Sequence, residues 1–570
     1  MVTKEVTQLI VKVLGASGLI SEEQLQIGLQ EQKKTGGYIC ATLIKLGFVK
    51  EEEVFPILAK QLNIPYIKIK ELTIPPEVIQ KVPAKFVSHY KLMPIAIKRN
   101  TLTIAMSDPL EVHTIDDLRL FLGLEIETVL ASDNDIAEAI RKYYGVGAET
   151  LEEMVVERQR EPQGSTSISK TEDLTTMADD ASIVKFVNQV LLQALKDRAT
   201  DIHMEPFEDK FRVRFRIDGI LYDTTIPASI RLFHQAIVSR IKIMASLDIA
   251  EHRLPHDGRI KIKVQDKELD LRVSIVPSSF GESVHIRILS PESFLELGKL
   301  GLLSEDRKII ESVIKRPHGI IFVTGPTGSG KTTTLYACLS KINTNSIKII
   351  TIEDPIEYQL KGITQIQIAP KIGLSFANGL RSMLRHDPDI MMVGEVRDYE
   401  TAEIAIRAAL TGHLVFSTVH TNDAAGAVTR LLDMGVEPFL VSSSLECLIA
   451  QRLVRLVCPH CKKVVNPDKE YLKSLGLELG ATTELFEGKG CEECRLTGYR
   501  GRTGIYEILV IGESVREMVL KKESSQQIRK EAVALGMRTL RVDGWEKVKQ
   551  GLTTISEIIR VTQQEELPEE

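Results

Sequence analysis

The run Gly325-Pro326-Thr327-Gly328-Ser329-Gly330-Lys331-Thr332, followed by Thr333, has the spacing G-x-x-x-x-G-K-[ST]. Ile320-Ile321-Phe322-Val323 precedes it, an apolar stretch suited to a buried parallel strand, and a helix start follows. Glycines at 325, 328 and 330 let the backbone turn so that successive N–H groups face one point. The helix start adds its own unpaired N–H groups and about half a positive charge. Such a nest binds a polyphosphate, with Lys331 reaching the terminal phosphates and Thr332 holding Mg²⁺. Strand, loop and helix together predict a nucleoside triphosphate site.

Three further apolar runs end in polar clusters. These are Ile349–Ile352 before Glu353-Asp354-Pro355-Ile356-Glu357, Ile390–Val393 before Gly394-Glu395-Val396-Arg397-Asp398, and Leu414–Val419 before His420-Thr421-Asn422-Asp423. Ligands of open α/β sheets bind beyond the carboxyl ends of the strands, so the clusters are expected to converge on the phosphates. Phosphoryl transfer to water requires a metal to neutralise charge, a carboxylate to orient the water and a positive group at the γ-phosphate. Glu357 and Glu395 are the candidates for the water and Mg²⁺ roles, and His420 for the γ-phosphate sensor. Glu353 and Asp398 read instead as helix caps or ion-pair partners, and His413 as a hydrogen-bonded structural histidine.

A different chemistry lies downstream. Cys458-Pro-His-Cys461 and Cys491-Glu-Glu-Cys494 are separated by 29 residues, space for a helical hairpin. Two C-x-x-C pairs supply four soft thiolates, the ligand set of tetrahedral structural Zn²⁺, with Lys462, Lys463 and Arg495 to offset the charge. A redox dithiol pair is the competing reading.

These sites need several domains to carry them, and 570 residues is too long for one core. Net charge is −6 and the chain has one tryptophan, which gives no reason to expect a nucleic-acid channel. No apolar run approaches the roughly 18 residues of a membrane span, and the start is no secretory signal. A soluble cytoplasmic protein is the expectation. Residues 1–62 contain a repeat at an offset of 29, in which Leu14, Gly18, Glu22 and Gln32 recur as Leu43, Gly47, Glu51 and Gln61. Each copy reads as a short helix, a glycine break and a second helix. Residues 63–146 read as a small α/β module, 147–179 as a flexible linker and 180–290 as a helix followed by alternating strands. A second linker near 290–300 leads to the phosphate-loop domain, 300–570, whose alternating strands and helices predict a parallel sheet between helical layers.

The phosphate loop, Glu353-Asp354-Pro355-Ile356-Glu357, Val393-Gly394-Glu395-Val396-Arg397 and Thr411-Gly412-His413 with Val419-His420-Thr421-Asn422-Asp423 resemble the motifs of the type II secretion and type IV pilus ATPases. Gly394 stands where most phosphate-loop ATPases carry an aspartate, which leaves the metal duty to Glu395 and Thr332. Ala199–Pro206 and Arg212–Gly219 resemble the family's smaller domain. The resemblance implies a RecA-like ATPase core, a PAS-like domain over 180–290 before it, and an N-terminal helical/α+β region. It further implies a homohexameric ring using ATP and Mg²⁺, with arginines of the smaller domain reaching the triphosphate. Arg214, Arg216, Arg272 and Arg287 are the candidate positions for that role, and sequence alone does not choose among them. The four cysteines resemble the tetracysteine zinc insertion, about 455–500, of the pilus-extension and secretion members.

Within that family the chain looks most like the pilus-extension ATPases. These assemble pilin at the inner face of the inner membrane with a membrane platform protein and an actin-like cytoplasmic partner. A type II secretion ATPase driving pseudopilus assembly and protein export is the alternative inside the family. A DNA-translocating motor and a non-catalytic nucleotide switch are the alternatives outside it. The tandem copies at 9–32 and 38–61 resemble the amino-terminal domain of MshE-type pilus ATPases, which implies cyclic-di-GMP as a ligand. Leu9 and Tyr38 replace the arginine that begins each motif, and Val11 and Cys40 an early glycine, which weakens capture of a dianion and leaves partner docking as the competing role.

Overall fold

The computed structural model describes residues 19–35, 39–49, 51–108, 112–152, 154, 181–264, 267–289, 296–466, 472, 475 and 484–562. They form two compact units, Met1–Leu289 and Ser290–Glu570.

In the first unit, helices Glu22–Thr35, Ile39–Lys45 and Glu51–Leu62 bury Leu25, Leu43, Val54 and Phe55 in a small core. Gly47 takes φ 75° between the last two, the break the repeat predicts. Leu9, Val11, Leu14, Gly18 and Tyr38 lie outside the described residues. Strands β1 (Leu92–Lys98), β2 (Thr101–Met106) and β3 (Glu125–Leu130) follow as a mixed sheet with β2 in the middle. The helix Asp133–Tyr143 opens on Ser132, whose hydroxyl accepts the Asp135 N–H.

The sequence places a linker from residue 147, and the structure moves its start. Residues 148–152 are helical, and Leu151 and Met154 are buried beside Ile183 and Phe186. Glu152 accepts the N–H groups of Ala84 and Lys85 at 2.8 and 3.1 Å, tying this segment to the preceding module. Two apolar residues among acids are too few to register as periodicity, so the segment reads as linker although it packs as core. The remainder, 155–179, lies outside the described residues.

Next comes an antiparallel sheet of β4 (Ala199–Pro206), β5 (Phe211–Ile217), β6 (Ile220–Thr224), β7 (His256–Val264), β8 (Lys267–Ser278) and β9 (Gly281–Leu289). Their order is β6-β5-β4-β9-β8-β7. Helices Ala181–Lys196 and His234–Met244 bury Phe186, Val190, Ile237 and Ile241 against Ile202, Val213, Phe215 and Ile286. Period-two alternation therefore sends the arginines of β5 to the opposite face.

The second unit is built on β10 (Gly319–Thr324), β11 (Ile349–Glu353), β12 (Thr364–Gln367), β13 (Ile390–Val393), β14 (Leu414–Val419), β15 (Leu445–Val457) and β18 (Tyr499–Val510). Two short strands between β15 and β18, β16 (Lys462–Val465) and β17 (Leu485–Gly488), form a separate ribbon. The main sheet runs β12-β11-β13-β14-β10-β15-β18, parallel except for the last pair. Along β10, Ile320 and Phe322 enter one core with Ala402, Ile406 and Val428, while Ile321 and Val323 enter another with Ile310, Leu335 and Leu339. Burial on both faces is why these strands read as unbroken apolar runs. Leu297 and Leu300 are buried in the second core, so the domain begins inside the segment read as a 290–300 linker.

Candidate active site

The phosphate loop joins β10 to helix Lys331–Ile342, with Gly325, Gly328 and Gly330 at φ 146°, 79° and 87°. A Cβ on Gly325 would lie 2.5 Å from the Gln451 main-chain carbonyl, so that glycine is sterically required, whereas Gly330 meets only the Gln451 side-chain amide and is favoured by its left-handed φ. Gly328 has open space, and Pro326, Thr327 and Gly328 are exposed. Ser329 is buried, and its hydroxyl has no hydrogen-bond partner. Lys331 Nζ donates to the carbonyls of Gly325 at 2.7 Å and Pro326 at 3.1 Å, so the ammonium lies over the loop. Thr332 and Thr333 occupy the first helical turn, half-buried.

Burial lowers the Lys331 pKa to about 8, although the Glu395 charge acts in the opposite direction. Anion binding uses the protonated form, which is lost as pH rises through that value. The dissociation constant for Mg·ATP is therefore expected to be flat below pH 7.5 and to weaken up to tenfold per unit well above about 8. Fluorescent-nucleotide titrations at a pH series check this. An affinity unchanged from neutral pH to about 9.5 would contradict it.

Glu395 follows β13 with a side chain only 14% exposed, within 2.7 Å of Arg397 Nη2 and 3.4 Å of His420 Nε2. Its loop is fixed by three hydrogen bonds: Gly394 N–H to Ile352 O, Thr418 Oγ1 to Gly394 O, and Val396 N–H to Thr418 O. A Cβ at 394 would come 3.3 Å from Ile352 O and Glu353 Cα, a tight crossing in which the backbone would have to give by a few tenths of an ångström to admit the usual aspartate. His420 follows β14, where Thr421 N–H donates to Thr324 Oγ1 at 2.9 Å and ties the turn to the end of β10. Lys331, Glu395 and His420 thus meet at the carboxyl ends of three adjacent parallel strands. Glu357 is held differently, by its own N–H on the hydroxyl of Tyr336 at 3.3 Å.

Asp398 caps helix Tyr399–Leu410 by accepting the Thr401 N–H, and His413 Nδ1 bonds the Ala408 carbonyl, both as expected of structural residues. Glu353 departs from its reading. It is buried and bonded to Tyr336, Thr351 and Gln365 rather than to a helix end or an arginine. Gln451 and Arg452 escaped the sequence reading altogether. Gln451 Oε1 accepts from Thr334 Oγ1 at 2.7 Å and backs the loop, while Arg452 Nη2 donates to the Asn422 carbonyl at 3.0 Å beside Lys331. Their only sequence signal is a polar pair interrupting the apolar run of β15.

The four candidate arginines of the smaller domain do not stand alike. Arg214 is clamped by Glu205 through two bonds of 2.8 Å. Arg216, Asp201, Arg287 and Arg272 instead form one cross-strand row, with Arg259 opposite Arg272. Asp201 accepts Arg287 Nε at 2.9 Å and lies 3.0 Å from His285 Nε2, with Arg216 at 3.9 Å. Burial opposes ionisation of Asp201, but these donors hold its carboxyl well below the usual range. One carboxylate among cations directly opposite each other leaves the row with excess positive charge.

Cys458, Cys461, Cys491 and Cys494 place all four sulfurs within 4.8 Å of one another. Sγ separations of 3.7 Å (Cys458–Cys491), 3.8 Å (Cys461–Cys494) and 3.7 Å (Cys491–Cys494) match the edge of about 3.8 Å that Zn–S bonds of about 2.3 Å require. The Cys494 sulfur also accepts the N–H groups of Cys491 and Gly498. Burial raises its pKa, but these donors outweigh burial and bring it to about 7. The residues present fit a tetrahedral metal. The described residues that leave the knuckles pair as the antiparallel ribbon β16–β17, with Val464 opposite Phe486, and the helical hairpin expected between the pairs falls beyond that ribbon, largely on residues outside the described set. Residues 467–471, 473–474 and 476–483 lie outside the described set.

The Type II/IV secretion system protein family matches residues 176–560, and the MshEN domain matches 62–150, the module after the tandem copies. The chain is 45% identical over 557 residues to the type IV pilus assembly ATPase PilB of Myxococcus xanthus, covering 96% of this chain and 98% of that protein. It is 42% identical over 561 residues to the type II secretion system protein E of Xanthomonas campestris pv. campestris, covering 97% and 98%. The ATPase DotB of Yersinia pseudotuberculosis shares the fold at TM-score 0.51 and 22% identity, over 67% of this chain and 94% of that one. A RecA-like sheet, a phosphate loop in strand–loop–helix context and these full-length relatives lead to one conclusion: the chain belongs to the type II/IV secretion system ATPase family.

Proposed function

We propose that this chain is the subunit of a homohexameric motor that hydrolyses ATP to drive assembly of a type IV pilus. The observation that carries the reading is the meeting of Lys331, Glu395 and His420 at the carboxyl ends of β10, β13 and β14. In it, the backbone N–H groups of the loop from Thr327 through Thr333 and the Lys331 ammonium hold the triphosphate, with Gly325 and Pro326 shaping the turn. Thr332 and Glu395 hold Mg²⁺, which when bound neutralises charge on the transferring phosphoryl group. Glu357 and Glu395 orient the water, and His420 senses the γ-phosphate. The four cysteines hold Zn²⁺ as a structural ion, with no open position. Phosphate release from Mg·ATP by the assembled wild-type chain tests the activity, and no release would end the reading.

Among the arginines, the row favours Arg216, Arg272 and Arg287 over Arg214 as the groups that reach the triphosphate. Arg214 already satisfies a bidentate carboxylate. Arg287→Ala is expected to lower turnover by about 10³-fold while Arg214→Ala stays within about fivefold of wild type. Steady-state rates, with circular dichroism to confirm folding, check this. Four folded, active single-alanine variants of Arg214, Arg216, Arg272 and Arg287 would remove the arginine role.

Among the described residues no helix is long and apolar enough to cross a membrane. In this reading, which rests on the pilus and secretion relatives, the motor works at the inner face of the inner membrane beside the platform protein. The MshEN match, over 62–150 and not over the tandem copies, supports a cyclic-di-GMP receiver in the amino-terminal region, with docking of an actin-like partner as the competing role there. The 42% identical secretion relative keeps protein export as the second reading. Restoration of pili, rather than of export, to strains lacking the corresponding relative would separate the two.

A further inference from the structure

Tyr336 is fully buried on the helix that carries the phosphate lysine, five residues beyond Lys331. Its hydroxyl donates to the carboxylate of Glu353, which is itself only 3% exposed. A phenol has one proton to donate, and Tyr336 commits it to that carboxylate. The phenol oxygen is then left to accept, and it receives the Glu357 N–H at 3.3 Å. Burial raises the phenol pKa and Glu353 raises it further, so the proton stays on Tyr336 at any working pH.

A second side chain fastens the same loop. Gln365 Nε2 donates to Glu353 Oε1 and to the Tyr358 carbonyl, both at 3.1 Å, and lies 3.4 Å from the Tyr336 hydroxyl. Its Oε1 accepts the Leu360 N–H at 2.7 Å. The Tyr358 ring meets the Tyr336 ring edge-on at 5.4 Å. The loop after β11 is therefore pinned at Glu357, Tyr358 and Leu360 by two residues, one of which belongs to the helix of the phosphate loop.

We propose that Tyr336 is a positioning residue for hydrolysis, its hydroxyl setting the Glu357 loop in register with the phosphate-binding helix. This rests on the reading of Glu357 as a water-orienting carboxylate. A displacement of about 1 Å in such a group costs on the order of 10² in rate without a matching loss of binding. Tyr336→Phe deletes one oxygen and keeps the ring contact, so it releases the Glu357 N–H while Gln365 still holds Tyr358 and Leu360.

The test uses the full chain and measures three quantities on Tyr336→Phe: single-turnover hydrolysis rate, Mg·ATP dissociation constant and thermal midpoint. The expected result is a rate loss of about 30-fold with affinity within about twofold of wild type. A rate within twofold of wild type overturns the proposal, and so does an affinity loss equal to the rate loss. Should Tyr336→Phe fail to fold, Gln365→Met decides instead, with an expected rate loss of about fivefold at unchanged affinity. An unchanged rate in that variant would then overturn the proposal. Glu357→Gln run in parallel separates the two readings. Full activity there removes the role of Glu357, whereas an inactive Glu357→Gln beside a normal Tyr336→Phe removes only that of Tyr336.

Discussion

Glu395→Gln is expected to bind Mg·ATP within a few-fold of wild-type affinity and to release phosphate about 10²–10³-fold more slowly. The substitution keeps the size of the side chain, so the loop held by Gly394, Val396 and Thr418 has no reason to move. It removes a charge from a site only 14% exposed, where His420 lies 3.4 Å away and the Lys331 ammonium faces it. An amide neither supports a divalent cation as strongly nor takes part in water activation. Lys331→Ala should behave in the opposite way, losing nucleotide before any chemistry begins, with affinity down by at least about 10²-fold. Retention of labelled nucleotide and release of phosphate, measured together, distinguish the two variants. Equal loss of binding in both would show that Glu395 acts on ground-state binding and not on the reaction.

The second large effect concerns the cysteines. Reduced, purified protein is expected to carry about one zinc per chain, and Cys461→Ser with Cys494→Ser to carry almost none. Zinc binding to small four-ligand sites is worth roughly 10–16 kcal/mol, and in an apo site that energy is missing from the fold of the ribbon. The loss should fall on β16–β17 and the turns at 458–461 and 491–494, leaving the seven-stranded sheet standing. The readouts are metal content, a four-thiol increase on chelation and protease sensitivity within the insertion. Metal near zero in the reduced wild type, with two disulfides on oxidation, would assign the cysteines to redox chemistry instead.

Several features of this protein are fixed by residue order alone. The phosphate loop is legible because its glycines, lysine and threonine fall at fixed spacing within the single run 325–332, and the strand and helix that frame it adjoin that run. The parallel core is legible because strands buried on both faces are written as unbroken apolar runs, such as Ile320–Val323 and Ile390–Val393. Four thiolates in two pairs announce their ligand count without a fold.

Which polar group meets which was decided by tertiary structure. The Thr324–Thr421 contact spans 97 positions, and it brings His420 to the phosphate loop only because β10 lies beside β14 in the sheet. Gln451 and Arg452 reach that loop by the same adjacency of β10 and β15, and Tyr336 reaches Glu353 through the packing of one helix on β11. The row through Asp201 separates Arg214 from its neighbours by strand register. The physical reason is one of range. Periodicity and spacing report how each segment meets water, whereas side-chain partnership depends on strand order and register, which no local window contains.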